Sequence, residues 1–131
     1  VGVIPEFFLN NEQPIEYVEA DELIVTKDMR SRKAIMDERS DAFIVLPGGI
    51  GTLEEATEII SMKQLGLTEK PIVFINTNKF YDAFILNLKR MVELKFAKQS
   101  TLNLINIQPD PLSALEFMIA YQSQKTNSKW L

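Results

Sequence analysis

Three glycines stand close together where a predicted strand gives way to a predicted helix, at Gly48, Gly49 and Gly51. The first turn of a helix carries unpaired N–H groups and roughly half a positive charge, which suits an anion. Glycine lets a phosphate approach the backbone and allows the positive φ angles of an anion-binding nest. The pattern predicts phosphate binding, with a merely tight turn as the alternative. This glycine pattern matches neither of two familiar phosphate-binding motifs. It lacks the lysine of GxxxxGK[ST], and Glu54 stands where GxGxxG needs its last glycine.

Acid–base chemistry in these residues has to use carboxylates, Arg or Lys, because the sequence has no cysteine and no histidine. Glu55 lies about one helical turn beyond the glycines, where a ribose joined to the bound phosphate would extend. Thr52 and Glu55 are also spaced as a capping box, in which Glu55 bonds back to the Thr52 N–H. Spacing alone does not choose between a catalyst and a cap.

A second candidate is a basic pair inside an apolar helical stripe. The helix predicted over residues 28–40, capped by Asp28, turns four residues to one side, namely Met29, Arg32, Lys33 and Met36. A guanidinium on such a face needs either a route to solvent or an anionic partner. Arg32 is therefore either an arginine whose head reaches water past its packed stem, or a contact for the ligand.

Short apolar runs alternate with amphipathic segments along the chain. Strands are predicted over residues 1–5, 22–26, 42–46, 71–76 and 102–107, and helices over 28–40, 52–66 and 80–97. A last helix is predicted after Asp110–Pro111, with Asp110 as its N-cap and Pro111 as its first residue. Residues 6–20 are predicted to be a loop with one helical turn. This order predicts an α/β fold, a doubly wound, mostly parallel Rossmann-like sheet flanked by helices. Residues 1–121 would form one domain and residues 122–131 a polar tail.

Two packing details follow from the same patterns. The uninterrupted apolar run at residues 42–46 is typical of a strand covered on both faces, and the last helix would face the core with Leu112, Leu115, Met118 and Ile119. Ligands of such sheets bind at the carboxyl ends of the strands. We therefore expect Arg32 and the glycine turn to lie along one edge and share one ligand.

Composition narrows the class of protein. The 131 residues are 46% hydrophobic and 24% charged, with a net charge of −4 and scattered basic residues, so neither a nucleic acid nor a membrane surface is an expected partner. The ligand should be a small molecule. No long apolar run and no signal peptide are visible, which favours a cytoplasmic location. The apolar helical faces at residues 29–36 and 80–96 predict a homodimer or higher homo-oligomer.

The first residues read as a strand already in progress, with no Met before Val1. We expect about 50 to 60 residues to precede Val1 in the native protein, enough for one βαβ unit and more. On this expectation the sheet predicted above lacks its amino-terminal strands.

Two motifs resemble the signature of the Lonely Guy family. Residues Pro47 to Glu55 match PGGxGTxxE, and Met29 to Lys33 match MxxRK. The resemblance covers roughly residues 1–120. It implies a Rossmann-like, usually dimeric phosphoribohydrolase that releases an adenine-type base from a nucleoside 5′-monophosphate, in some members activating cytokinins, with no metal and no cofactor.

The same resemblance implies roles for individual residues. Arg32 and Glu55 would be catalytic. The substrate would be bound by residues of both motifs, namely Met29, Lys33, Gly48, Gly49, Ile50, Gly51, Thr52 and Glu54. The chain departs from many relatives at Arg30, Ser31 and Ile50. By the same resemblance, the chain is expected to lack the two strands and the glycine-rich loop with which the family normally begins. Either it is a fragment or it cannot complete its site unaided.

Two other functions remain open at this point. A noncatalytic carrier of a nucleotide or phosphorylated cofactor, like the related molybdenum-cofactor carriers, could use the same sheet. A scaffold or dimerisation role would follow if the amino-terminal part is truly absent. Lysine decarboxylation has little support, because the motifs contain no identifiable environment for a pyridoxal lysine.

Overall fold

The structure, a computed structural model, describes residues 1–9 and 19–121. Its contacts divide the chain into two compact units, Val1–Ser40 and Asp41–Leu131. The predicted polar tail and much of the loop predicted over residues 6–20 lie outside the described residues. One domain over residues 1–121 stays a prediction.

The first unit is a pair of parallel strands with one helix packed against them. Strand β1 (Gly2–Pro5) leads into a single helical turn, α1 (Glu6–Leu9), and strand β2 (Leu23–Thr26) leads into helix α2 (Met29–Arg39). The strands are in register from Gly2 opposite Leu23 to Pro5 opposite Thr26. Helix α2 packs against both strands.

The second unit is a three-stranded parallel sheet with helices on both faces. Its elements in chain order are β3 (Phe43–Val45), α3 (Ile50–Gln64), β4 (Ile72–Ile75), α4 (Asp82–Glu93), β5 (Asn106–Gln108) and α5 (Pro111–Ala120). Short 3₁₀ turns lie at Thr77–Lys79 and Gln99–Asn103. The strand order is β3-β4-β5, with β4 fully buried between its neighbours.

Two apolar clusters cover the faces of this sheet. On one face, Val45 and Phe74 pack with Ala56 and Ile60 of α3 and with Tyr81. On the other, Val73 and Ile75 pack with Ala114 of α5, along with Phe117 and Met118. The predicted α/β fold with parallel strands is therefore confirmed, with the strands in two small sheets flanked by helices.

Both predicted side-chain caps are confirmed. Asp28 and Asp110 precede α2 and α5, and their carboxylates accept hydrogen bonds from Ser31 N and Ser113 N at 2.7 and 2.9 Å. These bonds lower the pKa of each carboxyl below its usual value. Pro111 occupies the first turn of α5, as predicted.

Two boundary predictions are wrong. Helix α3 begins at Ile50 rather than Thr52, because Gly49 is its N-cap. The last strand begins at Asn106, since the 3₁₀ turn Gln99–Asn103 occupies the start of the predicted run.

Two packing predictions are also wrong. Strand β3 is not covered on both faces, because Val45 is buried on one face whereas Ile44, on the other, is 45% exposed. In α5 the stripe Leu112, Leu115 and Ile119 faces solvent, because the small Ala114 lies against β4 and turns the alternative face inward. Met118 alone of the predicted four packs against the core.

Candidate active site

The glycine turn forms the amino terminus of α3. Gly49 has an extended backbone (φ −87°, ψ −156°), and its carbonyl accepts the first helical bond from Leu53 N at 3.1 Å. Gly49 has no side chain with which to cap the helix, and no side-chain cap is formed at this end. The first-turn amides of Ile50, Gly51 and Thr52 precede the first helical donor, as an anion site requires.

The three glycines differ in what surrounds them. A Cβ on Gly48 would come within 2.3 Å of Thr52 Oγ1 and 2.9 Å of Thr52 Cβ. The side chain of Thr52 therefore leaves room for glycine alone at position 48. A Cβ on Gly49 or Gly51 would meet no atom within 4 Å. Both of these glycines therefore have open space before them, into which a ligand could approach the backbone.

The expected positive φ angles are not found in this turn. Among the glycines, the one with positive φ is Gly66, just beyond the end of α3, at φ 74°. Its left-handed backbone is typical of the residue that ends a helix. The turn at residues 48–51 therefore relies on the missing Cβ atoms and the helix terminus, and not on a left-handed nest.

Glu54 and Glu55 lie just beyond the first turn of α3. Glu54 is exposed and Glu55 is half-buried. The capping-box interpretation of Glu55 is wrong, because Gly49 is the N-cap and Thr52 is already the third helical residue. Glu55 therefore does not have the capping role that its spacing suggested, and its catalytic role stays a prediction.

Arg32 is held against the first strand. Its Nε donates a hydrogen bond to Val3 O at 3.0 Å, and the residue is half-buried. Gly2 N bonds to Glu22 O at 2.8 Å, toward β2, and successive residues of a strand point their backbone groups to opposite edges. Val3 O therefore faces the edge that β2 leaves open, and its bond sets the orientation of the guanidinium.

The neighbours of Arg32 are placed by the junction between β2 and α2. Thr26 is buried, and its Oγ1 lies 3.1 Å from Asp28 O and 3.4 Å from Ile4 O. This junction fixes the start of α2, on which Met29 and Lys33 are both half-buried. The predicted stripe on α2 is therefore partly covered, although none of its residues is fully buried.

The two motifs belong to different units, with Arg32 in Val1–Ser40 and the glycine turn in Asp41–Leu131. Their joint action on one ligand stays a prediction.

Within residues 1–9 and 19–121, no three acidic, cysteine or histidine side chains gather as they would around a metal ion. No helix in the same ranges is long and apolar enough to cross a membrane.

Sequence reasoning missed one residue that contacts the start of the turn. The Tyr81 hydroxyl donates a hydrogen bond to Leu46 O, immediately before Pro47. The two residues are 35 positions apart, so no local pattern could have indicated the contact.

Residues 1–118 match the family model described as "Possible lysine decarboxylase". The chain is also similar to "Probable cytokinin riboside 5′-monophosphate phosphoribohydrolase LOGL6" of Oryza sativa subsp. japonica, with 40% identity over 92% of this chain and 48% of that protein. The chain belongs to the Lonely Guy family. The resemblance carried by the two motifs is therefore confirmed.

Other Lonely Guy relatives are matched over similar lengths. "Probable cytokinin riboside 5′-monophosphate phosphoribohydrolase LOG6" of Arabidopsis thaliana is 41% identical over 83% of this chain and 53% of its own length. "Cytokinin riboside 5′-monophosphate phosphoribohydrolase LOG5" from the same species is 34% identical over 93% and 53%. The chain spans about half the length of the curated relatives it matches.

Proposed function

We propose that the protein hydrolyses the N-glycosidic bond of an adenine-type nucleoside 5′-monophosphate, releasing the free base and ribose 5-phosphate. Cytokinin riboside 5′-monophosphates are the candidate physiological substrates, since the similar proteins are named for hydrolysing them. The observation that carries the proposal is the pair Gly49 and Gly51 at the amino terminus of α3, where an added Cβ would meet no atom within 4 Å.

In this proposal the 5′-phosphate binds the first turn of α3. Gly49, Gly51 and Thr52 supply backbone N–H groups, and the helix terminus favours the phosphate charge. Gly48 lets the Thr52 side chain pack beneath the turn, since any Cβ there would overlap it. We assign substrate-binding roles to Ile50, which is 83% exposed, and to Glu54. We assign the same role to Met29 and Lys33 of α2, which are half-buried.

The bond from C1′ to the base nitrogen breaks with its electron pair going to the base, and a water oxygen bonds to C1′. A carboxylate stabilises the ribosyl cation that develops and takes a proton from the attacking water. We assign that role to Glu55. Arg32 donates hydrogen bonds to the departing base. The proton taken by Glu55 then passes to the base nitrogen, which restores the carboxylate. Its Nε contact with Val3 O supports a fixed orientation for that donation.

We also propose that the protein acts as a homodimer in the cytoplasm. Of the two segments predicted to associate, residues 80–96 turn Tyr81, Phe84 and Ile85 toward the chain's own core. The same segment also carries exposed apolar side chains, namely Phe80, Leu86, Met91, Leu94 and Phe96. Exposed apolar side chains clustered in one segment are typical of a surface that another chain covers.

The decisive assay incubates the full-length protein with AMP and, separately, with a cytokinin riboside 5′-monophosphate, and measures free base and ribose 5-phosphate. Adenosine is the matched substrate, because it lacks only the phosphate. We expect base release from the monophosphates and at least ~10-fold less from adenosine, since the phosphate contacts are lost. AMP binding without base release would instead favour the noncatalytic carrier.

A further inference from the structure

We propose that Tyr81 is a positioning residue for the glycine turn, holding the carbonyl of Leu46 and thereby setting where the turn begins. This inference rests on the proposed function, in which that turn binds the 5′-phosphate. Tyr81 itself touches neither the substrate nor the glycines.

Tyr81 is a buried phenol with a specific polar contact. Its side chain is 1% exposed, and its hydroxyl donates to Leu46 O. Leu46 follows the last residue of β3 and precedes Pro47, so its carbonyl stands at the exact point where the chain leaves the sheet. If this carbonyl moved, Pro47 and Gly48 would move with it, because they follow Leu46 directly in the chain.

The ring of Tyr81 is fixed by aromatic packing. It meets Phe74 of β4 edge-on, with centroids 4.9 Å apart and an interplanar angle of 88°, and Phe74 is fully buried. Phe84 stacks on the same Phe74 ring at 5.3 Å. The hydroxyl is therefore held from the central strand of the sheet, and a rotation of the ring would disturb the core.

The backbone of Tyr81 is tied to the other strands by Asn76. Asn76 Oδ1 accepts from Tyr81 N at 2.7 Å, and Asn76 N donates to Gln108 O at 2.8 Å. Asn76 Nδ2 also donates to Asp82 Oδ1 at 2.8 Å. Since Asn76 follows β4 and Gln108 ends β5, these bonds connect the carboxyl ends of all three strands to the glycine turn.

The segment that presents Tyr81 has an unusual backbone. Asn78 and Lys79 are consecutive residues with positive φ, 52° and 61°. Residues with side chains rarely adopt this conformation, and it persists where surrounding contacts determine it. Burial also raises the pKa of the Tyr81 phenol, so the hydroxyl stays protonated and able to donate above neutral pH.

The test compares two tyrosines that each lose only a hydroxyl. Tyr81→Phe removes the bond to Leu46 O and keeps the ring. Tyr121→Phe is the matched control, because the Tyr121 hydroxyl lies 3.0 Å from Lys63 Nζ, near the opposite end of α3. The readouts on the full-length protein are the Kd for AMP, and the KM and kcat for base release per folded molecule.

We expect Tyr81→Phe to raise the Kd and KM for AMP roughly 5- to 10-fold. This factor corresponds to the free energy of about one lost hydrogen bond. Base release from adenosine should change less, because it does not use the phosphate contacts. Tyr121→Phe should leave the Kd for AMP within ~2-fold of the parent. Equal Kd and KM values in the two variants would overturn the positioning role while leaving the hydrolase intact.

A parent protein that binds AMP but releases no base would overturn the proposed function, and the Kd comparison would still decide the role of Tyr81. A parent that does not bind AMP would overturn both.

A second variant tests the same role if Tyr81→Phe does not fold. Asn76→Ala removes the acceptor for Tyr81 N and should also raise the Kd for AMP, by ~2- to 5-fold. No change in that variant would contradict the proposal.

Discussion

The side chain of Thr52 occupies the space that a Cβ on Gly48 would need, within 2.3 Å of its Oγ1. Only a residue without a side chain fits at Gly48, because the third residue of α3 fills that space. Of the three glycines in the turn, Gly48 is thus the one that the chain itself requires, whereas Gly49 and Gly51 face open space. The distinction separates the folding role of the turn from its proposed binding role.

Gly48→Ala should destabilise the protein by about 1–3 kcal/mol, because the overlap forces Thr52 or the turn to move. Thermal or urea unfolding measures the loss. Adding Thr52→Ala removes the clashing hydroxyl and should recover part of the free energy of unfolding. No destabilisation by Gly48→Ala would show that the turn adapts freely.

Gly51→Ala should have the opposite effect on stability. Alanine in a helical position is favoured over glycine by up to about 1 kcal/mol, and nothing lies within 4 Å of the added methyl group. A phosphate at the same backbone would meet that group, so the Kd for AMP should rise at least ~10-fold. A stabilised variant with unchanged AMP affinity would contradict phosphate binding at this turn.

The caps of α2 and α5 could be predicted because they are local. Asp28 and Asp110 each bond to an N–H three residues ahead, within the span that a sequence pattern describes. The start of α3 differs from the predicted one because the local pattern is misleading there. Gly49 caps without a side chain, while Thr52 and Glu55 imitate a capping box that the helix has already passed.

Contacts between residues far apart in the chain leave no local pattern in the sequence. Helix α5 has two apolar stripes, and only packing of the small Ala114 against the sheet decides that Leu115 faces outward. The bond from Tyr81 to Leu46 likewise depends on the sheet bringing α4 and β3 together. The motifs indicated which residues to consider at the site, but not the contacts that hold them.

Arg32→Lys should lower kcat for base release by at least ~10-fold, because lysine keeps the charge but loses the planar donor set and the Nε bond to Val3 O. Arg30→Lys is the control, since Arg30 is an exposed residue of the same helix. Equal turnover in both variants would make Arg32 a structural arginine that only anchors α2 to β1.

The full-length protein should be a dimer at micromolar concentration by light scattering. Leu86→Glu places a charge among the exposed apolar side chains of residues 80–96, where Leu86 is 67% exposed, and should shift the equilibrium toward monomer. Asn87→Asp adds the same charge at the adjacent exposed position as a control. A monomeric parent would refute the dimer, and an unaffected Leu86→Glu dimer would refute this face.

The most direct measurement is adenine release from AMP by Glu55→Gln in the full-length protein, alongside Glu58→Gln in the same helix. Glutamine keeps the shape of the side chain but cannot accept a proton or stabilise a ribosyl cation as a carboxylate does. We expect turnover to fall at least ~100-fold, with the Kd for AMP within ~3-fold and the free energy of unfolding within ~1 kcal/mol of the parent, while Glu58→Gln stays near parental activity. Near-parental turnover of folded Glu55→Gln would contradict the assignment of Glu55 as the catalytic carboxylate.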